Sequence, residues 1–519
     1  MSRSRVACAL ALGVSLLPWG AGPQAGEDSF LQANDPWFVA GQKALARALK
    51  LTPLRGHAKN LILFIGDGMS VTTVTAARIF EGQLRGESGE ENLLSFERLP
   101  FLALAKTYNT DLQVPDSAGT ATAMLSGVKT KAGVLGVSSG VVERDCASAA
   151  GRHVTSAVEL AERIGLSTGI VSTAAITHAT PAAAYAHTPA RGWQVDRSIP
   201  EKEQKAGCVD IARQLLEFPY GDGIDVVLGG GRRHFFPAGV DDPEEEGQPG
   251  LRQDGRDLVR EWLSRPDARY VWNLEQFLAV NPARTGPLLG LFQPYHLQYE
   301  TDRLNDKAGE PSLSRMTRMA LDVLQRNPRG FFLLVEGGRI DHAHHEGNAY
   351  RALVDTVEFA RAVQVALDRT DAKDTLVIVT ADHSHVLTFA GYPARGNPIL
   401  GRVRSAAGDG GLPKEGLDQA QDDLPYTTLS YANGPGYLSQ SARWAARHQD
   451  TTHPDYLQDA TIWLDSETHG GDDVAVYARG PGAQLIRGVM EQNYIFHVMD
   501  AAGRLRERAA AVAERGGIP

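Results

Sequence analysis

The chain has 519 residues, 43% hydrophobic and 22% charged, with 62 acidic against 52 basic side chains and a net charge of -10. That length suits one large α/β domain with insertions, or two domains. Excess acid without a basic block excludes a phosphate polymer as partner, because nucleic acid is held by clustered Lys and Arg.

Residues 1 to 25 open with Arg3 and Arg5, continue through the apolar run ACALALGVSLLPW and end in small residues around Ala21 to Ala25, the form of a secretory signal. An exported protein, periplasmic or secreted, is expected. The later chain has no apolar run long enough to cross a bilayer, and its charged end, GRLRERAAAVAERGGIP, offers no hydrophobic tail for a lipid anchor. No stable membrane anchor is therefore expected. Cys8 lies within the signal, which leaves Cys146 and Cys208. In an exported protein such a pair reads as one disulfide, with two free buried thiols as the other reading.

Asn60 to Ile65 (NLILFI) reads as a buried strand ending in Gly66, Asp67 and Gly68. Residues 99 to 107 (LPFLALAKT) form another strand pattern, after which VPDSAGTATAMLSG places Pro115, Asp116 and Ser117 at the start of a small-residue helix. A helix N-terminus offers free N–H groups and a positive dipole, which favour a bound anion and an ionised hydroxyl. An ordinary N-cap serine is the plainer alternative. A helix (VTSAVELAERI) and a strand (LSTGIVST, 166 to 173) lead into His178, Ala179, Thr180 and Pro181, and then Arg191. Ile224 to Leu228 closes on glycines with no ligand and reads as sheet scaffold, and Pro237 to Arg256 reads as a solvated acidic loop.

The stretch Gly330 to Glu346, GFFLLVEGGRIDHAHHE, is the richest. Its apolar run Phe331 to Val335 reads as a buried strand delivering Glu336, a Gly-Gly turn and a helix start that carries Asp341, His342, His344 and His345. Asp341 and His345 are four apart, so one helical face presents an oxygen and a nitrogen ligand, the set a borderline ion such as zinc requires. A long helical pattern and the strand TLVIVT (375 to 380) then reach Asp382, His383, Ser384 and His385. Residues 390 to 465 are rich in Gly, Pro and Asp with weak periodicity and read as an insertion, after which Glu467 to Gly471 (ETHGG) resumes the polar pattern. Strands alternating with helices predict a mostly parallel sheet in a three-layer α/β/α domain, and such sheets bind ligands beyond the strands' carboxyl ends. Four strands obey that rule here, so their polar ends are read as one metal site.

The residues now resemble the alkaline phosphatase family, over residues 35 to 505. The motifs are IGDGM (65 to 69), PDSAGTATA (115 to 123), HATPAAAYAHT (178 to 188), VEGGRIDHAHHE (335 to 346), TADHSH (380 to 385) and ETHGGDDVAVYARGP (467 to 481), in the family's order. The resemblance implies a three-layer fold with a crown-like insertion, a homodimer and hydrolysis of small-molecule phosphate monoesters through a phosphoserine at Ser117. It implies one zinc held by Asp341, His345 and His469, and a second held by Asp67, Asp382 and His383 with Ser117 completing the shell. A magnesium would be held by Asp67, Thr180 and Glu336, an all-oxygen set that suits a hard cation. Arg191 would fork onto two nonbridging phosphate oxygens. His178 and His342 match animal-type members, where enterobacterial ones carry aspartate and lysine, and would lie just outside the metal ligands; a core-histidine role is the alternative. Cys146 and Cys208 match paired cysteines of animal-type members. A calcium site of those members would fall on Glu244, the main-chain oxygen of Phe292, Gln293 and Glu310. Gln293 replaces a carboxylate there, so a weak or empty site is expected.

Two other functions share part of this pattern. A phosphodiesterase or sulfatase on the same scaffold would keep the two-metal part and differ in the nucleophile region or the third ligand set; Arg191 with Asp67, Thr180 and Glu336 favours the monoester dianion. An exported zinc- or phosphate-binding protein would need no nucleophile at Ser117.

Overall fold

The computed structural model describes residues 32, 34–407 and 413–515; the predicted signal, 1–25, lies outside them. Two units separate at Thr52. The first holds helix α1 (Pro36–Ala48), started by Pro36 in its first turn and by the Asp35 carboxylate, which accepts from the Trp37 and Phe38 N–H groups.

The second unit is built on a ten-stranded sheet. Its strands in chain order are β1 (Asn60–Gly66), β2 (Phe101–Lys106), β3 (Ser167–Ala175), β4 (Val226–Gly230), β5 (Arg269–Val271), β6 (Leu288–Leu291), β7 (Phe331–Gly337) and β8 (Thr375–Ala381), and, after shorter strands elsewhere, β14 (Val474–Arg479) and β15 (Gly488–Glu491). The shorter ones are β9 (Ser384–His385), β10 (Leu387–Phe389), β11 (Leu429–Gly434), β12 (Ala460–Trp463) and β13 (His469–Gly470). The order across the sheet is β15-β2-β14-β8-β1-β7-β3-β4-β6-β5. Only β14 runs against its neighbours, β8 and β2. Strands β10, β11 and β12 form a separate small sheet, and β9 pairs with β13.

The principal helices of this unit are α2 (Val71–Leu84), α3 (Ser117–Ser126), α4 (Ala157–Arg163), α5 (Leu313–Leu324), α6 (Arg339–His345), α7 (Ala349–Arg369) and α8 (Tyr494–Gly503). Helices α2, α5 and α7 pack together as one layer, and α3, α4 and α8 as another. Every residue of β1, β7 and β8 is buried. Strands covered on both faces lose the apolar/polar alternation, which is why these read as unbroken apolar runs.

Register positions the site. Ile65 of β1 pairs with Glu336 of β7 and with Thr380 of β8, so three strands end at one level and deliver Asp67, Glu336 and Asp382 together. Ser172 of β3 lies level with Glu336. The β9–β13 pair sets His469 opposite His385 at the same sheet end.

Residues 237–256 are a largely exposed loop, as expected, but two of its acids are drawn inside the fold. Side chains of Asp242 and Glu244 are 1% exposed against a fully buried Arg232, and buried Arg252 pairs with Asp210 and Asp254. A run of acids predicts solvation only if no cation lies inside to receive it, and here two arginines do.

Candidate active site

Asp341, His345 and His469 converge beyond the sheet's carboxyl end: Asp341 Oδ1 is 3.4 Å from both His345 Nε2 and His469 Nε2, which are 3.1 Å apart. The ring protons can be placed. His345 Nδ1 lies 2.6 Å from the Glu467 carbonyl and His469 Nδ1 lies 2.7 Å from that of Pro115. Carbonyl oxygens only accept, so each Nδ1 is N–H and each Nε2 turns a lone pair inward. Burial keeps His345 below its usual pKa despite nearby Asp341. Two imidazole Nε2 atoms and a carboxylate oxygen thus face one another at 3.1–3.4 Å.

A second cluster repeats the pattern. His383 Nδ1 faces the Ser384 carbonyl, and its Nε2 points at Asp382 Oδ2 (3.3 Å), Asp67 Oδ1 (3.4 Å) and Ser117 Oγ (3.1 Å). The third contains Asp67, Glu336 and His178. Both Asp67 oxygens, Glu336 Oε1, Thr180 Oγ1 and His178 Nδ1 are buried without a hydrogen-bond partner. Burial and then repulsion by Asp341, Asp382 and Glu336 push Asp67 well above the carboxylate range. Burial lifts Glu336 to about 7 and raises Asp382. Buried acids in that state require protons or cations, and the converging lone pairs select cations.

Two histidines near these clusters have no lone pair to offer. His385 Nε2 bonds Asp341 Oδ1 (2.8 Å) and its Nδ1 bonds Glu467 Oε2 (2.5 Å). Burial opposes its charge, but the two carboxylates prevail and hold it protonated to about pH 10, so it orients Asp341. The ring lies against Gly68, whose φ is +66° and whose Cβ, if present, would sit 2.3 Å from His385 Cδ2. His178 Nε2 is 3.0 Å from Arg191 Nη2. Arginine only donates, so the His178 lone pair is spent there and its Nδ1 is N–H.

Ser117 is 2% exposed and is the first residue of α3, where Asp116 caps the helix by accepting from the Gly119 N–H. The other Asp116 oxygen accepts from Arg191 Nη1 at 3.0 Å. One carboxylate therefore sets both the helix end and the guanidinium beside it. His342 Nδ1 accepts from Arg339 Nη1 (3.1 Å), and its ring lies 5.5 Å from that of His178.

A family model, alkaline phosphatase, matches residues 58–505. The tissue-nonspecific alkaline phosphatase of Gallus gallus is 50% identical over 478 residues, covering 90% of this chain and 89% of its own. An alkaline phosphatase of Gadus morhua is 49% identical over 472 residues, covering 89% and 95%. The chain belongs to the alkaline phosphatase family. The Thermus thermophilus alkaline phosphatase structure superposes with a TM-score of 0.62 at 25% identity, covering 90% of this chain and 98% of that one. The fold is alkaline phosphatase-like, and the activity is metal-dependent hydrolysis of phosphate monoesters.

For an alkaline phosphatase the structure adds residues that the motifs left without a role: Asp116, His385 and Glu467. Charge-paired partners of a ligand carry no spacing of their own, and only the TADHSH and ETHGG context placed two of them nearby. Cys146 and Cys208 form a disulfide with Cα atoms 5.7 Å apart. At the four positions considered for calcium, Gln293 Nε2 donates to Asp306 Oδ1 (2.6 Å), Glu244 Oε1 accepts from the Ala308 N–H and Glu310 Oε1 from that of Gln298. Phe292 is buried beside Gln293. Asp306 was not among the expected residues. Among the described residues no helix is long and apolar enough to cross a membrane.

Proposed function

We propose that Ser117 is the nucleophile and that phosphate monoesters are hydrolysed through a phosphoserine, with two zinc ions and one magnesium. The supporting observation is the convergence of the three Nε2 lone pairs of His345, His469 and His383 on carboxylates, with Ser117 Oγ 3.1 Å from the last. Asp341, His345 and His469 would hold one zinc, and Asp67, Asp382 and His383, with Ser117, the other. Oxygens of Asp67, Thr180 and Glu336 would hold magnesium. Bound there, the cations would neutralise the phosphate dianion, acidify the Ser117 hydroxyl and the attacking water, and stabilise the departing oxygen.

The chain's own residues do the rest. Arg191, pre-aimed by Asp116 and His178, grips two nonbridging oxygens and fixes the phosphorus in front of Ser117. Ser117 Oγ, having lost its proton, bonds to phosphorus as the ester P–O bond breaks, and the alcohol leaves with a proton from water. Water then attacks the phosphoserine from the opposite side, Ser117 regains a proton, and inorganic phosphate departs. Hydrolysis of p-nitrophenyl phosphate at alkaline pH, measured beside zinc and magnesium analysis, tests this reading. Zinc uptake without turnover would instead mark a binding protein.

The same reading includes export behind a signal at 1–25, a catalytic domain of 35–505 with a crown-like insertion at 390–465, and a homodimer. The Cys146–Cys208 disulfide fits an oxidising compartment. Within the insertion Ile462 (58%) and Trp463 (69%) are exposed on β12, apolar surface that a second copy would cover. Sedimentation of the mature protein tests the dimer; a monomer at micromolar concentration would exclude it.

A further inference from the structure

His344 has no part in the site as described, yet it is fully buried and bonded at both ring nitrogens. Its Nε2 lies 3.0 Å from Thr73 Oγ1, and its Nδ1 lies 2.8 Å from the Tyr431 hydroxyl. Thr73 Oγ1 is in turn 2.9 Å from Ser70 Oγ, the group that caps α2 by accepting from the Thr73 N–H. Among the described residues Tyr431 Oη has no other partner, so the buried phenol donates to Nδ1 and the Nε2–H donates to Thr73.

Three elements meet in this chain of bonds. Helix α2 follows the loop that presents Asp67, helix α6 presents Asp341 and His345, and Tyr431 belongs to β11 of the small sheet. The His344 ring also stands 4.8 Å from that of His385, which bonds Asp341. Helix α6 has only seven residues, so a side chain clamped at both ends fixes its roll about its own axis. Roll sets where Asp341 and His345 point relative to Asp67.

We propose that His344 is a positioning residue that locks the roll of α6 and makes the hold on the Asp341–His345–His469 cation depend on the small sheet through Tyr431. This rests on the metal reading of that cluster. Groups that orient metal ligands change affinity by about 10- to 100-fold when removed, and the test reads metal release from the folded protein rather than turnover.

The full-length zinc-loaded protein is compared with Tyr431→Phe, Thr73→Val, His344→Leu and His344→Gln. Three quantities are measured: the rate at which zinc passes to a chromophoric chelator, the d–d spectrum of the cobalt-loaded protein, and melting of the metal-free protein. Expected is zinc release faster by about 10- to 100-fold in His344→Leu and by several-fold in Tyr431→Phe, with an altered cobalt spectrum in both. His344→Gln, which keeps a donor toward Thr73, should release more slowly than His344→Leu. The double variant Tyr431→Phe/His344→Leu should release no faster than His344→Leu alone. Wild-type release and spectrum in Tyr431→Phe, with only metal-free melting lowered, would reduce His344 to packing and overturn the proposal. That variant loses a single hydroxyl and carries the test if His344→Leu does not fold. A wild-type protein that takes up no zinc would overturn the metal reading itself, a result distinguishable from unchanged variants of a zinc-binding protein.

Discussion

Two regions of this molecule bury several carboxylates, and they do it in opposite ways. Around Asp67, Asp341 and Asp382 the imidazoles of His345, His469 and His383 turn lone pairs inward, because carbonyls of Glu467, Pro115 and Ser384 occupy their other ring nitrogens. Around Asp242, Glu244 and Asp306 the neighbours turn N–H groups inward. Arg232 reaches Asp242 twice, Glu244, and the carbonyls of Trp272 and Leu291, and Gln293 reaches Asp306. Burial of acid is common to both, so burial does not mark a metal centre. The direction of the neighbouring protons does: the first region needs cations from outside, whereas Asp242 and Glu244 in the second have theirs in Arg232.

Removing the proposed nucleophile should have the largest effect. Ser117→Ala should lower kcat/KM by on the order of 10⁴-fold or more, as loss of a covalent nucleophile does elsewhere, and should abolish the acid-stable phosphoenzyme. Label from substrate appearing on that variant's chain would remove Ser117 from the role. Next comes the metal itself. Chelation should abolish activity, and zinc with magnesium should restore more than either ion alone, because the nitrogen-bearing and all-oxygen sets prefer different ions. Full recovery with magnesium alone would refute the assignment of Asp341, His345 and His469 to zinc.

The self-sufficient region should respond in stability and not in metal content. Arg232→Met leaves Asp242 and Glu244 buried without their cation, which costs about 3–5 kcal/mol in comparable buried pairs. Denaturant unfolding of the metal-loaded protein measures this, and zinc content per folded chain should stay at the wild-type value. A fall in zinc content would show that the two regions are not independent.

The central strands were legible in the sequence because both faces of β1, β7 and β8 are covered, so each is an apolar run closed by polar residues. Asp341 and His345 were legible for a similar reason, since helical spacing alone puts them on one face. What escaped is interaction set by tertiary pairing. His385 stands two residues from His383 and reads the same locally, but Glu467, 82 positions away, makes it a cation instead of a ligand. Asp242 and Glu244 look as solvated as the rest of 237–256 until Arg232 is found inside the fold, and Asp306 joins Gln293 only because the chain between them turns back. Residue type identified the groups, and partners decided what each group does.

The smallest effect concerns Gln293, and it sharpens the contrast most finely. Its Nε2 supplies the proton that Asp306 Oδ1 accepts, in the place where a carboxylate would need a cation. Burial and then the charge of Asp306 already push Glu310 well above its usual range, and Asp306 Oδ2 and Glu310 Oε2 have no partner, so this corner is short of donors. Gln293→Glu removes one donor and adds a fourth carboxyl group beside Glu244, Asp306 and Glu310, and should destabilise the calcium-free protein by about 1.5–3 kcal/mol, the usual range for a hydrogen bond to a charged group. Added calcium should return that loss in the variant, because affinity for this ion grows with the number of charged oxygens. The wild type should melt at the same temperature with and without micromolar calcium. A large calcium shift in the wild type would mean that the amide does not substitute for the ion; a variant destabilised equally with and without calcium would mean that these oxygens cannot be brought around a cation at all.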